Sequence, residues 1–288
     1  MSEHSPAPTK GPTMSSVLVT GAGRGIGLAI AERMSAAGWT VYATARSQSA
    51  LTRLNQMTNV TGIPLDITDK AAIAALPQHL PATLNGVVNN AGIIVNGPVE
   101  GLSIDQLSTQ LDVNVVSQIA VTQAVLPALR AGHGRIVFMS SVSGLITTPG
   151  TGAYSASKYA IESLADALRM ELRPWKIPVS LIEPGPIATD MWGGALDEYD
   201  AMTAGLAENI RELYAPHLTG TRKLLGRMQK LAADPKRVTT AVEHALTARR
   251  PKRRYLLDAV SRTQKAVVAV TPTAVTDRVL AAATTSNT

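Results

Sequence analysis

The 288-residue chain contains no cysteine, which removes disulfides, thiolate nucleophiles and cysteine-ligated metals from consideration. Histidine is sparse: the five residues are His4, His79, His133, His217 and His244. None forms the i,i+4 pair that holds zinc on a helix, so no metal centre is expected. Aromatic residues make up 3% of the chain, with one phenylalanine and three tryptophans. That is too few to build the stacking platforms of a nucleic-acid surface. No apolar run approaches the ~20 residues of a membrane span. The polar, Pro-rich opening "MSEHSPAPTKGPT" has no apolar stretch of the signal-peptide kind, and residues 1–14 are expected to be a disordered arm of a cytoplasmic protein. What the chain does have is 45% hydrophobic and 17% charged residues, a globular balance. Its length can bury a core without covalent staples.

Apolar runs alternate with helical patterns from "SSVLVT" (15–20) to "IPVSLIEPG" (177–185). The intervening strands are read in "TVYATA", "TGIPLDIT", "LNGVVNNAG" and "GRIVFMSS". The first helix, "GIGLAIAERMSAAG", stops at Gly38, a residue suited to the left-handed position after a helix. One further helix is read around 103–130 and a long one in "AYSASKYAIESLADALRMEL". Strand and helix alternating in ~30-residue units imply an α/β fold, a doubly wound parallel sheet with helices on both faces. Residues 15–260 form one domain of this Rossmann type, with six strands read. A helical insertion at 191–230 and a C-terminal helical tail with a frayed end at 261–288 depart from the rhythm.

Thr20-Gly21-Ala22-Gly23-Arg24-Gly25-Ile26-Gly27 lies between the first strand and the first helix. Gly21 permits a tight turn, Gly25 lets the backbone approach a pyrophosphate, and Gly27 lets helix pack on strand. The helix N-terminus then offers N–H donors and the positive end of its dipole to phosphate. The second strand ends in Ala45-Arg46, where a dinucleotide-binding protein often has an acid that grips a ribose hydroxyl. Alanine removes the repulsion of a 2′-phosphate, and Arg46 offers a planar fork of donors matched to it. Arg24 would approach the same phosphate from the glycine turn. NADP(H) is therefore expected in preference to NAD(H).

Tyr154 and Lys158 stand at i,i+4 and share one helix face. A tyrosine with a pKa of ~10 is a poor acid–base group near neutrality, and a neighbouring ammonium is expected to lower it. Ser141 ends the "RIVFMSS" strand, on the side of a doubly wound sheet where ligands bind.

Taken in order, the glycine turn, "NNAG" at 89–92, Asn114, Ser141, Tyr154-x-x-x-Lys158 and "PGPIAT" at 184–189 resemble the single-domain short-chain dehydrogenases/reductases over about residues 15–260. The resemblance implies roles. Ser141 would hold a substrate carbonyl oxygen, and Tyr154 would deliver its proton or remove it in the reverse direction. Lys158 would bond the nicotinamide ribose and tune the tyrosine. Asn114 would kink its helix and hold a water that relays protons from Lys158. Asp66 would accept from the adenine amino group with Ile67 beside it, and Asn90, Ala91 and Gly92 would line the ribose. Pro184, Gly185, Ile187 and Thr189 would seat the nicotinamide amide. Ser143 is nearby, but the family spacing favours Ser141.

Substrate identity is expected to reside in 191–230, where Leu196, Tyr199, Met202, Leu206, Ile210 and Leu213 recur at helical intervals, with Met191 and Trp192 at the mouth. Such a stripe could roof an apolar cleft. "RRPKRRYLL" and "TPTAVTDRVL" resemble the steroid- and retinol-dehydrogenase-like branch, which implies a bulky apolar carbonyl or alcohol. The net charge of +6 is concentrated in 222–254. That stretch reads first as a solvated face, and second as weak contact with an anionic membrane surface. A homo-oligomer is compatible with all of this. Two other functions fit the same fold. One is an acyl-carrier ketone reductase using the basic stretch, against which the long insertion argues. The other is a non-catalytic NADP(H)-binding sensor or scaffold, against which the presence of both Tyr154 and Lys158 argues.

Overall fold

The strands form where short runs of β-branched and aliphatic residues can be buried. A computed structural model describes residues 14–188, 193–258, 262–263 and 270–285. In it, β1 (Ser16–Val19), β2 (Thr40–Ala45), β3 (Val60–Pro64), β4 (Gly86–Asn89), β5 (Arg135–Met139), β6 (Val179–Glu183) and β7 (Arg254–Leu256) make one sheet of order β3-β2-β1-β4-β5-β6-β7. Every pairing is parallel. Parallel strands are covered on both faces, and β1, β4 and β6 are buried along their whole length. The strand order reverses between β1 and β4, which opens a crevice beyond their carboxyl ends.

The helices are α1 (Gly25–Ala36), α2 (Gln48–Asn55), α3 (Lys70–Ala75), α4 (Ile104–Leu111), α5 (Ser117–Ala131), α6 (Gly152–Glu171), α7 (Ala195–Gly205), α8 (Glu208–Leu213), α9 (Ala215–Lys230), α10 (Lys236–Thr247) and α11 (Thr273–Thr284). On one face of the sheet Ile30 and Met34 of α1 and Val238, Val242 and Leu246 of α10 cover Val17, Val41 and Val137. On the other, Val121, Val125 and Leu129 of α5 and Ile161 of α6 cover Leu18, Val87, Ile136 and the single phenylalanine, Phe138. This is the doubly wound arrangement that the alternating pattern implies.

Three local features refine the reading. Gly38 takes the left-handed conformation (φ +81) directly after α1, as its position suggests. The helix read around 103–130 is interrupted, because a π-helical turn at Asp112–Val116 separates α4 from α5. A seventh strand, β7, joins the six that were read. It has three residues within a charged stretch and becomes a strand only by pairing with β6, Leu181 opposite Arg254.

Candidate active site

Three strand ends are sewn together under the glycine turn. The Thr20 hydroxyl accepts from the backbone N–H groups of Asn90 (3.0 Å) and Ala91 (3.1 Å). The Asn90 amide donates to the carbonyls of Thr20 (2.9 Å) and Gly21 (3.2 Å). Gly21 N–H donates to the Thr44 hydroxyl at 3.2 Å. Gly21 (φ +65) and Gly25 (φ +56) are left-handed, a conformation that favours glycine. A Cβ on Gly27 would stand 2.3 Å from the Gly21 carbonyl oxygen and 2.5 Å from the Asn90 amide nitrogen, so only glycine fits. Gly23 packs between Ala45 and Ala50, and Ile26 rests on the core beneath. Exposed Arg24 is the N-cap of α1 and supplies no side-chain acceptor to the first turn. Those N–H groups are left to face an anion, and the turn fits the pyrophosphate of a dinucleotide.

At the end of β2, Ala45 is buried while the Arg46 side chain is 77% exposed, its guanidinium 3.9 Å from Asp66. An exposed pair of that length contributes only ~0–1 kcal/mol, so Arg46 is available to another anion. The Asp66 carboxylate accepts from the backbone N–H (2.9 Å) and hydroxyl (2.8 Å) of Thr68. These bonds hold it below the ordinary carboxylate range, with Arg46 a smaller contributor. Ile67 is buried in the core on the α5 side. A third arginine that the sequence reading passed over, Arg53 of α2, donates to the Gly23 carbonyl.

Ser141, at the end of β5, is buried, accepts from Ser143 N–H at 3.1 Å and lies 3.5 Å from the Pro184 carbonyl oxygen. Tyr154 and Lys158 project from α6 towards it. The Lys158 ammonium donates to the Met139 carbonyl at 2.7 Å and sits 5.5 Å from the centre of the Tyr154 ring. The expectation of a lowered phenol pKa is corrected in this structure. Burial of the half-buried Tyr154 ring pushes it up to about 12, and the Ser141 hydroxyl only partly offsets this. Burial likewise lowers Lys158 to about 8, opposed by the charge of Glu162. Desolvation disfavours the charged form of each.

Asn114 lies in the π turn, the kind of helix irregularity that recurs at functional sites. Its amide is occupied by the loop after β4: Oδ1 accepts from Ile93 N–H (2.9 Å), and Nδ2 donates to the Ile93 carbonyl (2.9 Å) and the Ser157 hydroxyl (3.2 Å). Gln110, one turn earlier and fully buried, holds the same loop through Val95 N–H (2.6 Å) and the Ile93 carbonyl (3.1 Å). The i,i+4 spacing of two amides was the available signal for Gln110. Gly92 faces Asn114, where a Cβ would lie 3.2 Å from Oδ1. After β6, the Pro184 carbonyl accepts from Val142 N–H (3.1 Å), and the Pro186 carbonyl accepts from Ala233 N–H (2.9 Å). Gly185 lies between them and buried Ile187 bridges to Ala233. Thr189, Met191 and Trp192 lie outside the described residues.

The apolar stripe of the insertion does not act as one face. Tyr199, Leu206 and Ile210 are buried with Leu218 in a small core of their own, and the Tyr199 hydroxyl donates to the Leu218 carbonyl at 3.2 Å. Leu213 is 69% exposed. Leu196 lines a shallow groove with Arg222, Lys223, Arg227 and Lys230, a lining that includes none of Ser141, Tyr154 or Lys158. Met202 is half-buried and lies over Gly97 in the loop after β4, where a Cβ would be 3.5 Å from its sulfur. The basic stretch divides too. Arg222 forms a two-pronged pair with Asp200 (2.6 and 2.7 Å), and Arg254 turns inward to acids. Lys223, Arg227, Lys230, Arg249 and Arg250 remain exposed. Among the described residues no helix is long and apolar enough to cross a membrane.

Residues 15–200 match the family described as short chain dehydrogenase. The chain is 37% identical over 273 residues to the uncharacterized oxidoreductase YbbO of Escherichia coli K12, covering 92% of this chain and 93% of that one. It is 32% identical over 251 residues to retinol dehydrogenase 16 of Rattus norvegicus, covering 83% and 79%. A short-chain dehydrogenase structure from Streptomyces avermitilis superposes with a TM-score of 0.76 at 30% identity, over 90% of this chain and 93% of that one. Likeness of this extent, in sequence and in backbone, assigns the chain to the short-chain dehydrogenase/reductase family of oxidoreductases.

Proposed function

We propose that the protein reduces the carbonyl of a bulky apolar ketone or aldehyde with NADPH, using Tyr154 as proton donor. The observation that carries this reading is the convergence of Ser141, Tyr154 and Lys158 beyond the carboxyl ends of β5 and β6, with a phenol pushed up to about 12. Such a phenol is protonated at neutral pH and so has a proton to give, although burial makes it a weaker acid than a free tyrosine. The glycine turn would hold a nicotinamide cofactor, which would supply hydride to the carbonyl carbon and leave negative charge developing on its oxygen. The Ser141 and Tyr154 hydroxyls are donors held in advance for that charge. An alkoxide is a far stronger base than a phenolate, so proton transfer from Tyr154 is downhill. Lys158 sits beside the phenol and is the residue that would hold a ribose hydroxyl of the cofactor. Asn114 and Gln110 fix the loop that borders the cleft. Preference for NADPH is supported by Ala45-Arg46 and Arg24. The apolar substrate class is supported by the insertion and by the likeness to a retinol dehydrogenase.

NADPH oxidation against a panel of steroids, retinoids and medium-chain carbonyls tests the reading. Turnover is expected with bulky apolar carbonyls, and none with any member would overturn it. Met202, a half-buried member of the stripe that lies over the loop after β4, gives a finer test. Met202→Ala is expected to change relative efficiency among ketones of increasing size and to leave NADPH affinity unchanged. A methylene of pocket contact discriminates by ~1–3 kcal/mol. If Met202 serves the insertion's packing alone, a lower melting temperature with an unchanged ranking will show it.

A further inference from the structure

The segment that leaves β4 is half-buried from Ala91 to Asn96 and is fastened at alternate residues. Ala91 donates to the Thr20 hydroxyl, and its carbonyl accepts from the Gln118 amide at 2.8 Å. Ile93 is held by Asn114 and Gln110. Val95 makes one hydrogen bond among the described residues, to Gln110. Gly97 N–H donates to the Gly150 carbonyl at 2.8 Å, two residues before the helix that carries Tyr154. Met202 of α7 is seated on this far end, its sulfur 3.5 Å from where a Gly97 Cβ would stand.

Gln110 is the one buried residue of α4, and it is fully buried. An aliphatic side chain would pack there at lower cost, because a buried amide is tolerated only when its hydrogen bonds are made. Here they are made. Oε1 accepts from Val95 N–H at 2.6 Å, and Nε2 donates to the Ile93 carbonyl at 3.1 Å and to the Ser157 hydroxyl at 3.4 Å. Ser157 is fully buried too, and its hydroxyl donates to the Tyr154 carbonyl at 2.6 Å. A hydroxyl has one proton and two lone pairs, and the lone pairs of Ser157 face Gln110 and Asn114 (3.2 Å). The segment after β4, the two amides and the turn of α6 bearing Tyr154 are thus one hydrogen-bonded unit. A buried network with every member satisfied fixes geometry.

We propose that Gln110 is a positioning residue that sets substrate size. By clamping Ile93 and Val95 to the Tyr154 turn, it fixes how far the segment, with Met202 seated on Gly97, stands from the Tyr154 hydroxyl. A small carbonyl compound is then held against Tyr154 by that wall. Releasing the clamp lets the wall recede, which harms small substrates more than bulky ones. The role in substrate selection rests on the proposed function. The clamp itself does not.

The test is Gln110→Met, which keeps the length of the side chain and removes its acceptor and both donors. Amide hydrogen exchange, followed by NMR in the full chain, should quicken at Val95 by about 3- to 10-fold, the effect of one lost hydrogen bond. Rates in β4 and β5 should not change. In parallel, the ratio of kcat/KM for a small over a bulky ketone should fall by about tenfold or more, the lower end of what one methylene of pocket contact is worth. Combining Gln110→Met with Met202→Ala supplies a reading that loss of stability alone would not move. Both substitutions act on one segment, so their effects on that ratio should fall short of multiplying by about threefold or more. Gln110→Glu decides the matter if Gln110→Met does not fold: it sets a second acceptor against the Ile93 carbonyl, and the ratio should fall again. An unchanged Val95 exchange rate would overturn the clamp. An unchanged ratio, or effects that simply multiply, would overturn the role in substrate size. A protein inactive with every carbonyl would remove the functional reading and that role with it, and leave the exchange result standing.

Discussion

Tyr154→Phe should lower turnover by at least ~10²-fold, and by up to ~10⁴-fold, the usual contribution of a positioned acid–base group, while NADPH still binds. The substitution keeps the ring that rests near Lys158 and removes only the hydroxyl that Ser141 helps to orient. Steady-state kinetics with the best carbonyl of the panel, beside a fluorescence titration of NADPH, separates the two effects. The loss should fall on kcat, because proton donation belongs to the transition state. Near-normal turnover would mean that another donor does the work and that the Tyr154 assignment is wrong.

Arg46→Asp should reverse cofactor preference. Arg46 is exposed and only loosely engaged by Asp66 at 3.9 Å, so a 2′-phosphate can take its guanidinium. Charge-assisted hydrogen bonds contribute ~1.5–3 kcal/mol, about 10- to 100-fold in affinity. The new carboxylate adds repulsion of the phosphate and an acceptor for ribose hydroxyls. Binding of NADPH should therefore weaken by at least that factor while NADH binding tightens. Paired Kd measurements on the unaltered and altered proteins check both directions. Equal affinities in the unaltered protein would remove the basis of the argument.

What could be read in advance follows from how local each determinant is. Gly21, Gly25 and Gly27 are required by the backbone of the turn itself, so their spacing was enough. Burial on both faces makes parallel strands plain apolar runs, and all but β7 were visible as such. β7 was not, because three residues in a basic stretch have no strand signal until β6 lies beside them. Arg254 was grouped with a solvated patch for the same reason. A run of positive residues records charge, and only the fold shows that this one points at Glu162, Glu183 and Asp166. The stripe of α7 and α8 had the right period, yet period cannot say what a face covers. Most of it covers the insertion's own core. The direction of the Tyr154 shift was misjudged because a sequence shows the neighbouring lysine and not the burial, which is the larger effect here. The i,i+4 spacing of Gln110 and Asn114 puts both amides on one face, but only the fold shows that they hold the backbone of Ile93 and Val95.

The central claim is that this cleft passes a hydride from NADPH to a carbonyl carbon while Tyr154 protonates the oxygen. It is tested most directly by supplying NADPH deuterated on the transferring face of its reactive ring carbon, with the best carbonyl of the panel, and analysing the alcohol by mass spectrometry and NMR. The account predicts one deuteron on the carbinol carbon, and its formation suppressed in Tyr154→Phe. Alcohol formed without deuterium at that carbon, or labelled equally fast by the Tyr154→Phe protein, would contradict it.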